Sequence, residues 1–171
     1  MTKILFRSTL IALLCAPFMT FAADPQREAE VAKRGADVMP FNLGATTHVF
    51  AKTADGGTQR VVAKDLSDSQ QIRLVRKHLL EIQAQFRKGD FSGPSQIHGD
   101  EMPGLAELKA AKPGQVLVDR RDVDGGAELS FRTADAHLVA ALHAWFDAQV
   151  SDHGADAMAG QHHLHHPDAA K

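Results

Sequence analysis

The 171-residue chain has one cysteine, Cys15, no tyrosine and a single asparagine, Asn42. Cys15 lies inside an N-terminal stretch that reads as a secretory signal, so the expected mature chain carries no thiol. That excludes a disulfide framework, a cysteine nucleophile and a thiolate-rich metal site. No Gly-x-Ser-x-Gly elbow, phosphate-cradling glycine loop or His-Glu-x-x-His helix occurs. Asp100, Glu101, Asp119, Asp122 and Asp124 fall in turn-like contexts, so no set of nucleophile, base and oxyanion donor can be assembled from the sequence. The reading leans away from an enzyme. Clustered positive charge is missing too, with 19 basic residues against 21 acidic ones, which argues against a nucleic-acid binder.

Residues 1–22 have the parts of a signal peptide. Lys3 and Arg7 supply the charge, residues 10–21 are mostly apolar, and Thr20-Phe21-Ala22 places small residues at the cleavage-defining positions. The apolar run is shorter than the ~20 residues of a spanning helix and contains Pro17. Leu14 is too large for the lipid-attachment motif that would use Cys15. This segment has no paired arginines, so general secretion is expected. Cleavage after Ala22 implies a bacterial periplasmic or secreted protein with no stable membrane insertion. The leader holds two of the basic residues and none of the acidic ones, so the mature chain is more acidic than the whole.

What is abundant is histidine: ten residues, all beyond the leader. Where they fall depends on the fold. Asp24-Pro25 reads as a cap and first helical position for a short helix or tether at 23–38. Thr47 onward alternates toward a turn at Asp55-Gly56, a low-cost pair for positive φ, with Phe50 facing Val61 and His48 facing Ala63. Ser67 or Asp68 then caps a long helix whose stripe is Ile72, Val75, Leu79, Ile82 and Phe86, stopping at Gly89. Residues 89–104 read as a connecting loop, but Phe91, Ile97, His98 and Met102 mark it as packed.

After a short helix at 105–111, the order of elements repeats. A turn at Asp124-Gly125 sets Val118 against Phe131, Arg120 against Leu129, and Arg121 against Glu128 as a surface pair. Asp135 caps a second long helix carrying Leu138, Val139, Leu142, Trp145, Phe146 and Val150. The expected fold is α+β: two hairpin–helix (ββα) units forming a four-stranded antiparallel sheet, with two long helices packed on one face. Residues 39–154 would be a single domain, and 155–171 a flexible histidine-rich tail.

Four histidines in the tail, His162, His163, His165 and His166, suit zinc, nickel or copper, since neutral imidazole is a common ligand for all three. The competing reading is a solubilising tail. His98 and Met102, four positions apart, offer an imidazole and a thioether for copper, or else a backbone-bonded loop histidine and a core plug. His48, His78 and His143 sit on or beside apolar faces, where a histidine usually satisfies a carbonyl. If the repeat packs its helices side by side, His78 and His143 would approach, with His98 or His48 as a third ligand. The functional expectation is therefore divalent-metal or copper binding or buffering through histidines. The alternative is a non-catalytic module that takes a small ligand or a partner protein, not identifiable from sequence, on the 90–104 loop.

The run from MPFNLGATTHVF through DFSGPSQIHGDEMPGL to HAWFDAQVSDHG resembles a family of small exported bacterial proteins of unsettled function. Its members often carry the label aspartate carbamoyltransferase. That enzyme is longer and cytoplasmic, and it binds carbamoyl phosphate through a Ser-Thr-Arg-Thr-Arg loop. Only the fragment Ser130-Phe131-Arg132-Thr133 comes near that loop, so the motifs do not support the label. The resemblance implies a periplasmic location and a fold kept as one unit.

Overall fold

A computed structural model describes residues 24–160; the leader, Cys15 and the four tail histidines lie outside the described residues. The elements in order are α1 (Pro25–Val38), β1 (Thr46–Thr53), β2 (Gly56–Ala63), α2 (Ser69–Phe86), α3 (Ser92–His98), α4 (Leu105–Ala110), β3 (Leu117–Val123), β4 (Gly126–Arg132), α5 (Ala136–His153) and β5 (Ala157–Ala159). Single 3-10 turns, Leu43–Ala45 and Gly154–Asp156, lead into β1 and β5.

The sheet corrects the four-stranded antiparallel expectation. It has five strands in the order β3-β4-β2-β1-β5, and the β1–β5 pair is parallel. Two hairpins do join antiparallel through β2 and β4. The mixed character comes from the chain's return after α5, where Gly154 adopts φ +50° and lets the backbone reverse. His48 then pairs with Ala157 and Phe50 with Ala159, and the Gly160 N–H donates to the Phe50 carbonyl. A three-residue strand beside a distant partner has too little alternation to be read locally. Beyond the two long helices and the two short ones expected, a fifth, α3 (Ser92–His98), forms within the 89–104 stretch that reads as a connecting loop.

In the first hairpin the loop is Ala54-Asp55, so His48 pairs with Val61 and Phe50 with Gln59. This differs from the expected register by two residues, an even slip that keeps each side chain on its expected face. Phe50, Val61, His48 and Ala63 all point inward and are buried. The second hairpin has the expected register, with Val118 opposite Phe131 and Arg121 opposite Glu128.

Helix starts follow the caps. Asp24, Asp68 and Asp135 each accept from amides two or three residues on, which satisfies donors that have no partner within the helix. α3 begins with Gly93 and Pro94 in its first turn, where a proline loses no helical hydrogen bond. α2 grips the second hairpin through its polar side chains: Arg76 donates to the Val123 and Gly126 carbonyls, and Arg87 and Gln83 donate to that of Val118.

The core lies between the inner sheet face and helices α2 and α5, with Trp145 meeting Phe86, Phe91 and Phe131 edge to face. On the outer face Glu128 is buried and held by Arg60 and Arg121, which makes this more than the surface pair expected. Among the described residues no helix is long and apolar enough to cross a membrane.

Candidate functional site

The end of the domain where α1, α3 and α5 meet is polar inside. Arg27 of α1 donates through Nε to Asp152 Oδ1 at 3.1 Å and through Nη2 to Oδ2 at 2.6 Å. The same Nη2 reaches the His98 carbonyl at 2.6 Å. Asp152, near the end of α5, also lies 2.7 Å from His98 Nδ1 through Oδ2. Burial works to raise the Asp152 carboxyl, but the hydrogen bonds and charges of His98 and Arg27 outweigh it and hold the group at about 2. An ionised carboxylate only accepts, so His98 Nδ1 carries the proton and donates. Nε2 is then the nitrogen of His98 not committed to Asp152.

The His98 ring meets His153 edge to face, with centroids 5.1 Å apart. His153 in turn stacks on His48 at 5.1 Å with the planes 1° from parallel. Beside them Phe41 packs on both His48 and His78. Burial pushes His48 down to about 3, helped by the neighbouring imidazoles and opposed by a hydrogen bond with the Asp156 backbone. Burial likewise holds His153 at about 4, and it lowers His78. These imidazoles are neutral at ordinary pH, the form that binds metal.

His48, His78, His98 and His153 line one cavity of about 50 Å³, with Gln59, Gln149 and Trp145. Its remaining walls are apolar, from Phe41, Val61, Leu79, Ile82, Phe86 and Ile97 among others. Three buried polar atoms of lining residues have no hydrogen-bond partner: His48 Nδ1, Gln59 Oε1 and Trp145 Nε1. Buried polar groups are nearly always paired, so three on one cavity mark it as polar and receptive.

Of the residues singled out from sequence, His48, His78 and His98 come together here. His143 does not. Its Nε2 faces the Thr53 and Gly56 carbonyls at 3.0 and 2.9 Å, so it braces the first hairpin. The expected approach of His78 and His143 is therefore not made. Met102 is buried in the core and does not line the cavity.

His153, Asp152 and Arg27 were missed. The signal for His153 was present, since it continues the α5 stripe of Leu142, Phe146 and Gln149 at steps of four, three and four. Among the described residues no three His, Cys, Asp or Glu side chains stand positioned to hold a metal ion. Parallel stacking of His48 and His153 sets their ring edges side by side instead of toward one point.

Comparison with protein-family models, curated proteins and solved structures finds no match.

Proposed function

We propose that the protein is an exported, periplasmic metal-binding protein that holds or buffers a transition-metal ion through histidines. The leader motif supports the compartment. The observation that carries the metal reading is the convergence of four histidines from β1, α2, α3 and α5 on one small cavity. The tail, His162, His163, His165 and His166, is a second source of imidazole outside the described residues. With its sole cysteine in the leader, the mature chain offers nitrogen donors suited to zinc, copper(II) or nickel.

The test is the metal content of the untagged protein purified from periplasm, with and without the tail histidines replaced by alanine. Metal in at least one form is the expected result, and metal in neither would refute the reading.

A second reading is a non-catalytic small-ligand module, because α3 places Gly93, Pro94, Ile97 and His98 of the 90–104 segment on the cavity wall. It expects a small organic ligand, and no metal, to raise the unfolding temperature, with Ile97→Ala abolishing that rise in a folded protein.

A further inference from the structure

We propose that His48, His98 and His153 are the ligands of one divalent ion of the zinc class, seated in the cavity, with Asp152 positioning His98. The inference rests on the metal-binding reading and gives it a donor set, a geometry and an ion class.

Spacing is the first argument. A tetrahedral ion with imidazole nitrogens at ~2.0–2.1 Å sets two ligating rings roughly 5 Å apart, centre to centre. His98–His153 and His153–His48 are each 5.1 Å apart. Two of the three separations a common ion needs are thus present, and the third, His48–His98, must close when the ion draws the rings in.

The second argument is the carboxylate. A ligating histidine usually donates its other nitrogen to a carboxylate or carbonyl, which fixes the tautomer and strengthens the ligand. His98 does this through Nδ1 to Asp152. Asp152 is itself fixed by the two-pronged contact of Arg27, so His98 Nε2 is pre-oriented from three elements.

The third is an unspent nitrogen. His48 is 3% exposed, and its Nδ1 has no partner. Leaving such a group unpaired carries a desolvation cost that a bound ion would recover.

Volume and donor type then decide the ligand. About 50 Å³ accommodates an ion with one or two waters, and organic ligands generally need several hundred. Three imidazoles without sulfur suit a borderline divalent ion rather than copper(I). Binding requires His48 and His153 to leave their parallel stack by turning about the Cβ–Cγ bond, a broad torsion. A water or exogenous ligand on the cavity side would complete the coordination. Gln59 Oε1 and Trp145 Nε1, both unpartnered, line that space.

The experiment uses the full mature chain with His162, His163, His165 and His166 changed to alanine, titrated with Co²⁺ as a spectroscopic stand-in for Zn²⁺. The expected result is one equivalent bound, with the intense visible bands of four-coordinate cobalt, displaced by Zn²⁺. Asp152→Asn should keep the stoichiometry and weaken affinity ~10–100-fold. His98→Gln and His153→Gln should abolish binding, while His143→Gln leaves it intact.

Folding of each variant is checked by circular dichroism. Side-chain ¹⁵N spectra of the unmutated domain with Zn²⁺ should show three imidazoles ligated, which does not depend on any variant. No binding by the tail-substituted protein, or spectra in which His48, His98 and His153 are unchanged, would overturn the site. If the native chain still binds metal through its tail, the broader metal reading survives that failure.

Discussion

His98 and Asp152, far apart in sequence, meet Nδ1 to Oδ2 at 2.7 Å, and Arg27 closes on the same carboxylate oxygen from α1. One carboxylate thus ties α1, α3 and α5 together at the rim of the cavity.

Removing it should be costly. Asp152→Ala leaves Arg27 and His98 Nδ1 facing each other without their shared acceptor, and breaking a buried pair costs ~3 kcal/mol. Arg27 is a third exposed and can regain water, so the expected loss is nearer ~2 kcal/mol, read from urea unfolding at pH 7. A loss below a few tenths of a kcal/mol would show that the three helices do not depend on this contact.

Acid should destabilise the domain in two stages. His48 and His153 have folded values depressed to about 3 and about 4, from the ordinary value of 6.5. A group depressed on folding contributes stability above its unfolded value and loses it as pH falls toward its folded one. Stability is therefore expected to drop below pH 6.5 and to keep dropping toward pH 4, by roughly 2 kcal/mol per fully buried imidazole between pH 6.5 and 5. Asp152, depressed from 3.8 to about 2, adds its loss only below about pH 4. Urea midpoints at pH 7, 6 and 5 measure the first stage. His48→Phe should flatten the slope by about one proton, and an unchanged slope would contradict the burial of this ring.

His143 should prove structural. Its Nε2–H lies between two hairpin carbonyls, so His143→Ala is expected to cost about 1 kcal/mol and leave metal stoichiometry unchanged. Amide exchange localised to the Thr53–Gly56 turn would report the loosening.

Gly104 should tolerate no side chain. It adopts φ +77°, and a β-carbon there would stand 2.1 Å from the Ala141 carbonyl oxygen of α5. Gly104→Ala is expected to cost at least ~2 kcal/mol by thermal or urea unfolding, because strain and the backbone clash add. A near-neutral result would mean that α4 seats differently on α5.

Much of this architecture was legible because its signals are local. Asp24, Asp68 and Asp135 cap the helices that their positions announced, and Asp124-Gly125 fixed the second hairpin's register. The first hairpin slipped by an even step because Asp55, Gly56 and Gly57 offer competing turns. Ala157–Ala159, expected as the start of a tail, gains strand character only from its distant partner β1.

The site was legible in part for the same reason. His48, His78 and His98 stood out as histidines among apolar residues, whereas Asp152 and His153 looked like the polar end of a helix. Only the reversal at Gly154 shows that this end folds back into the protein.

The pairing of β1 with β5 also sets an order of assembly. A chain delivered N-terminus first presents β1 early and β5 last, so one side of β1 has no neighbour until the final strand arrives. Until then His48 lacks the segment that stacks His153 against it, and the cavity has only part of its wall. Such a long-range closure raises the entropic barrier to folding and keeps the chain open for longer. The cavity wall is therefore closed only when β5 docks beside β1.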